Sequence, residues 1–216
     1  MSRCQNRRKG GSPRKRGKKG APKAKWAVKG AAAVQAMPAP LCSPSIDIPV
    51  MVLSAAAVKK IVDFVEGDPN HECGAFLIGN LCKDRVTGVC IGFVEDIYTD
   101  GDYGSGSDYE FTVDTQIRCL SYVERNYDGR MHVIGTVHSH ANYPAFYSGT
   151  DYRMMGSRMM DEMHMVISPR FGEYVLTYKN KETVYNHSVA LQTDAKAFRY
   201  ARKTIQERDG CAYRSS

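Results

Sequence analysis

The sequence predicts a layered α/β domain, and three observations predict it. Short apolar runs of strand length recur from residue 50 to residue 187, among them 73–78 and 132–137. Segments of helical period interrupt them, the clearest being 54–66 and 115–126. Dense turn signals such as Gly67-Asp68-Pro69-Asn70 separate the two kinds. Helices mixed into a largely stranded core bury their apolar faces by packing in layers.

The elements follow in order. Residues 50–53 form a short apolar strand, and Ser54 stands where an N-cap is needed for a helix to about Glu66. Val58, Ile61, Val62 and Val65 share one face of that helix. A buried strand over 73–78 ends at Gly79-Asn80, and residues 86–98 supply one or two more strands. Asp100 to Asp108 holds three Gly, three Asp and two Ser, the composition of a flexible loop. The helix over 115–126 presents Ile117, Leu120 and Val123 as its stripe, and a strand over 132–137 follows. A short helix spans 149–160. Strands come next near 164–168, 173–178 and 183–187, with a last helix over 194–208.

Size and charge bound the organisation. At 216 residues the chain suits one domain, read as 46–216, behind a tail of residues 1–45. Lys and Arg number 12 in the first 29 residues, and no Asp or Glu occurs before Asp47. Subtracting that +12 from the overall +7 leaves −5, so the basicity belongs to the tail. Gly and Pro among these charges predict disorder. Such a tail suits nucleic acid or another anionic surface, yet Trp26 alone offers no platform for base stacking. No run approaches the ~20 apolar residues of a membrane span. The seven cysteines are odd in number and contain no C-x-x-C, which predicts free thiols and a soluble protein of a reducing, cytoplasmic compartment.

The most informative stretch is His138-Ser139-His140, seven residues, Ser148, two residues and Asp151. In an extended chain, residues i and i+2 project to one face, so both imidazoles can meet one ion. Two imidazoles and a carboxylate are the protein ligands of a hydrolytic zinc site that keeps its fourth position for water. Ser148-Gly149-Thr150-Asp151 also reads as a capping box at a helix start. The two readings are compatible, because exposed N–H groups there favour an ionised carboxylate. Ser148, as N-cap, would then hold its hydroxyl near the ion. His71, His132, His164 and His187 read as surface or satisfied core histidines, and the methionines from Met154 to Met165 as core packing.

These residues, preceded by Glu72 in Glu72-Cys73-Gly74-Ala75-Phe76-Leu77-Ile78-Gly79, resemble the JAMM/MPN+ zinc metallopeptidase family, of the JAB/MPN type. The resemblance covers about residues 50 to 190. It implies a cytidine-deaminase-like fold, a curved mixed sheet flanked by helices. It implies Zn²⁺ on His138, His140 and Asp151, Glu72 as general acid/base, and Ser148 steadying the tetrahedral intermediate. It further implies an isopeptidase acting at the C-terminus of ubiquitin or ubiquitin-like proteins. One departure is Ala141, where the family usually has Pro after the second histidine. The competing expectations are a catalytically silent or partner-activated scaffold of the MPN type, and a nucleic-acid-associated protein dominated by its tail.

Overall fold

The computed structural model describes residues 48–83, 88–100, 104 and 109–193. The basic segment 1–45, most of the loop 100–108 and the helix expected over 194–208 lie outside the described residues. The elements are β1 (Val50–Leu53), α1 (Ala55–Gly67), β2 (Gly74–Lys83), β3 (Cys90–Tyr98), α2 (Val113–Tyr127), β4 (His132–Ser139), α3 (Gly149–Gly156), β5 (Glu162–Ser168), β6 (Glu173–Lys179), β7 (Tyr185–Asn186) and β8 (Ala190–Gln192). The strands form one eight-stranded sheet in the order β7-β6-β5-β4-β2-β3-β1-β8. β1 runs parallel to β3 and β8, and β4 parallel to β5, while the other pairings are antiparallel. The fold is α/β with a mixed sheet.

That sheet is strongly curved, for a covalent reason. β7 and β8 occupy opposite edges, yet only three residues separate Asn186 from Ala190. Four residue steps span at most about 14 Å, so the two edges must approach one another. On one face, Ala57, Ile61 and Val65 of α1 pack with Met51, Leu77, Val94, Val137, Met163 and Leu176. On the other, Phe76 and Ile78 meet Cys119 and Val123 of α2, with Met154 of α3 against them. Alternation along β2 thus sends Ala75 and Leu77 to α1 and Phe76 to α2. Ser54 caps α1, its Oγ accepting from Ala57 N at 3.0 Å.

Several sequence expectations need correction. β2 does not stop at Gly79-Asn80 but runs to Lys83, with a register shift between Ile78 and Gly79. A Cβ at Gly79 would stand 1.7 Å from Phe93 O, so this glycine serves a close backbone approach rather than a turn. Val62 lies at the exposed margin of the α1 stripe. The α2 stripe is rotated: Thr115, Cys119 and Val123 are buried, while Ile117 and Leu120 are 56% and 60% exposed. Tyr122 and Tyr127 set that rotation by donating their hydroxyls to Asp96 of β3. Met155, Met163 and Met165 are core residues, but Met159 and Met160 are exposed in the turn after α3. The sequence reading also missed β8. Cys73, Cys90 and Cys119 are buried free thiols, as the sequence predicts for them. Among the described residues, no helix is long and apolar enough to cross a membrane.

Gly135 fixes β4 against β5, and β4 is the strand that carries His138. The φ of Gly135 is 153°, and a Cβ there would lie 1.6 Å from Met163 O on β5. Gly135→Ala is expected to cost about 3 kcal/mol or more in urea unfolding, since backbone must move where backbone already touches. A loss below about 0.5 kcal/mol would contradict this packing.

Candidate metal centre

β4 carries His138 to the sheet's end, and His140 follows one step past it. His140 N donates to Ile167 O at 2.8 Å, continuing the β4–β5 pairing, so both side chains keep to one face. Their ring centroids are 5.3 Å apart. Asp151 comes from the first turn of α3 and is buried there. The capping box is complete: Ser148 Oγ accepts from Asp151 N at 3.2 Å, and Asp151 Oδ2 accepts from Ser148 N at 2.6 Å. That leaves Asp151 Oδ1 turned to His138 Nε2, 3.3 Å away. One donor atom from each of His138, His140 and Asp151 lies within 4.8 Å of the others.

These donors fit zinc. A tetrahedral ion with bonds of about 2.0–2.2 Å puts its ligand atoms about 3.4 Å apart, close to the His138–Asp151 separation. His140 Nδ1 lies 2.9 Å from Pro144 O. A carbonyl only accepts, so Nδ1 carries the proton and Nε2 keeps a lone pair for an ion. Burial pushes His138 down to about 4, with Asp151 opposing the shift and His140 and His164 adding to it. The fold therefore holds this imidazole neutral, as a ligand must be.

That shift carries a pH dependence for the metal-free chain. The unfolded imidazole, near 6.5, takes up a proton before the folded one does. Stability is then full above pH 6.5 and falls by about 3 kcal/mol as the pH drops toward 4. Urea midpoints measured across that range check the direction, and a midpoint independent of pH between 7 and 4 would contradict it.

Glu72 reaches the same cleft by a separate route. It lies just before β2, which begins at Gly74 rather than at Cys73. Ser139 N donates to Cys73 O at 2.8 Å, and Cys73 N donates to Ser139 Oγ at 3.1 Å. The residue between the two histidines thus staples down the neighbour of Glu72. Gly104 N donates to Glu72 O at 2.7 Å from the other side. Glu72, His138, His140, Ser148 and Asp151 line one cleft of about 400 Å³, walled by Tyr109, Tyr143 and Phe146. All five residues singled out in the sequence therefore meet.

One feature of the walls was not read from the sequence. Tyr109 lies against Gly74, where a Cβ would stand 2.1 Å from its ring, so the glycine after Glu72-Cys73 is the trace it leaves. Phe146 packs its ring edge-on against His140, with centroids 4.7 Å apart. The loop that starts at Ala141 is held without the family proline. Arg170 donates to Asn142 Oδ1 at 2.9 Å, Ser168 to Tyr143 O, and Tyr147 OH to His164 O at 2.8 Å.

Comparison with known proteins decides the family. The family model of prokaryotic homologs of the JAB domain matches residues 54–183. The chain belongs to that family. No curated protein matches it. Among solved structures, this JAB-family chain is similar to a protein from Desulfitobacterium hafniense known in solution, at 16% identity and a TM-score of 0.49, over 67% of this chain and 94% of that one. It is also similar to a JAB1/MPN domain protein from Archaeoglobus fulgidus, at 17% identity and a TM-score of 0.38, over 66% and 99%. The match of residues 54–183 takes in Glu72, both histidines, Ser148 and Asp151.

Proposed function

We propose that this JAB-family chain is a zinc-dependent isopeptidase that hydrolyses the amide bond at the C-terminus of ubiquitin or a ubiquitin-like protein. The observation that supports it is the convergence of His138, His140 and Asp151 in a cleft that also receives Glu72 and Ser148. Zinc held by the three ligands would polarise the scissile carbonyl and acidify the attacking water. Glu72 would serve as the base that takes the proton of the attacking water while the water oxygen bonds to the carbonyl carbon. The same carboxyl group then gives the proton to the leaving amine nitrogen as the C–N bond breaks. Ser148 accepts from Asp151 N through Oγ, which leaves its own proton to donate to the developing oxyanion. Tyr109, Tyr143 and Phe146 narrow the cleft, which suits a thin, extended C-terminal tail better than a folded surface.

The experiment is a cleavage panel on the full chain, using ubiquitin and ubiquitin-like proteins fused through their C-termini to a reporter amine. Zinc content near one ion per chain is expected, with cleavage of at least one fusion that stops on chelation and returns with zinc. A chain that binds zinc and cleaves none of them would favour the partner-activated scaffold. A chain that binds none would remove the hydrolase reading.

A further inference from the structure

Beside the cleft lies a cluster of four ionisable side chains that the proposed hydrolysis does not use, three of them buried and the fourth, Arg158, partly so. Glu162, His164 and Lys179 are 1%, 3% and 0% exposed. Lys179 Nζ donates to the carbonyl of Arg158. Arg158 NH1 donates to Glu162 Oε1 at 2.9 Å, and its guanidinium also lies over the Phe76 ring, 5.9 Å from the centroid. Glu162 Oε2 lies 3.3 Å from His164 Nε2 and 3.9 Å from Lys179 Nζ. At its other nitrogen, His164 Nδ1 lies 2.9 Å from Thr136 Oγ1. Burial lowers the His164 pKa, and Nε2 and Glu162 Oε2 face each other at 3.3 Å without a hydrogen bond.

Stability alone does not account for such a cluster. A buried ion pair is commonly no better than apolar side chains of the same volume, and here two cations share one carboxylate. Where its ends attach is more telling. Thr136 stands two residues before His138 on β4, and Arg158 two residues after the end of α3. β4 carries both imidazoles, and α3 carries Asp151. α3 also packs through Met155 in the core, Met154 beside Phe76, and Tyr152 against Tyr147, Tyr185 and His187, but none of these named partners lies on β4.

We propose that Thr136, His164, Glu162, Arg158 and Lys179 form a buried polar tie that fixes α3 against β4 and so sets the spacing of Asp151 from His138 and His140. They are positioning residues, and the inference rests on reading His138, His140 and Asp151 as a metal centre. One end of the tie is bonded to the strand that delivers two ligands, and the other to the chain leaving the helix that delivers the third. Partners that orient ligands from outside the coordination sphere typically change metal affinity by about 10- to 100-fold when removed.

The test uses the full chain as wild type, Lys179→Met, Thr136→Val, Thr136→Ser and Val65→Ala. Lys179→Met leaves Arg158 and Glu162 as a balanced pair, so folding should survive it. Thr136→Val removes only the hydroxyl, and Thr136→Ser restores it. Val65→Ala opens a cavity on α1, across the sheet, and controls for lost stability. Zinc dissociation constants come from competition with a chromophoric chelator, and unfolding midpoints from the metal-free proteins. Lys179→Met and Thr136→Val are expected to weaken zinc binding by about 10- to 100-fold. Thr136→Ser and Val65→Ala are expected to bind as wild type does, although Val65→Ala lowers the midpoint. Unchanged affinity in either Lys179→Met or Thr136→Val overturns the tie, as does equal weakening in Val65→Ala. Wild type that takes up no zinc overturns the metal-centre reading itself, which is a different result from zinc binding that the variants leave untouched.

Discussion

Glu72→Gln is expected to keep about one zinc per chain while lowering amide hydrolysis by about 10²- to 10⁴-fold. The substitution preserves shape and removes only the ability to take and return a proton. Glu72 is 5% exposed, and its backbone is held from both sides, by Gly104 N on its own carbonyl and by Ser139 on the next residue. The amide should therefore sit where the carboxylate sat. Glu72 stands outside the three-residue donor set, so metal content should not follow activity. Metal analysis beside kcat/KM separates the two quantities. If Glu72→Gln cleaves as fast as wild type, the proton shuttle assigned to Glu72 is wrong. If it loses zinc, Glu72 belongs to the metal centre rather than to the proton transfer.

What the sequence made legible was chemistry with a short period. His138 and His140 share a face because a strand repeats every two residues, and Ser148 and Asp151 face each other because a capping box repeats every three. Both relations are local, and the structure has both. Strand existence was legible for the same reason, since apolar runs such as 73–78 announce burial whatever packs on them. The rotation of α2 was not. Val123 is buried as expected, but Ile117 and Leu120, apolar and correctly spaced, are not: two tyrosine hydroxyls reach Asp96 on the face where Thr115 and Cys119 turn inward instead. Nor was β8 legible, because three residues carry little periodicity and owe their strand to pairing with β1. His164 shows the limit most clearly. Glu162 stands two residues before it on the same strand, but Thr136 becomes its neighbour only when β4 and β5 pair, so the sequence shows no more than half of its surroundings.

Asp151→Asn is the second large effect expected, and it separates the two tasks of one carboxylate. Oδ2 closes the capping box by accepting from Ser148 N, and Oδ1 faces His138 Nε2. An asparagine can keep the first task by turning its carbonyl oxygen to Ser148 N. Its amide group then points at the imidazoles, and an NH₂ has no lone pair to offer a cation. α3 should persist, because Asn replaces the box acceptor and Ser148 still caps Asp151 N, at a cost of about 1 kcal/mol or less. Zinc affinity should fall by more than about 100-fold, beyond the range for ligand-orienting partners, and hydrolysis should fall with it. Ser148→Ala gives the complementary pattern. It removes the cap hydroxyl and costs about 1 kcal/mol, keeps zinc, and lowers kcat by about 10²-fold or more through the lost oxyanion donor. Zinc titrations and unfolding midpoints on the two variants would show opposite rankings. If both lost zinc equally, the cap hydroxyl would be as necessary to the metal centre as the carboxylate, and the separation of the two tasks would be wrong. If Asp151→Asn kept zinc, Asp151 would have to be reassigned as a structural residue of α3.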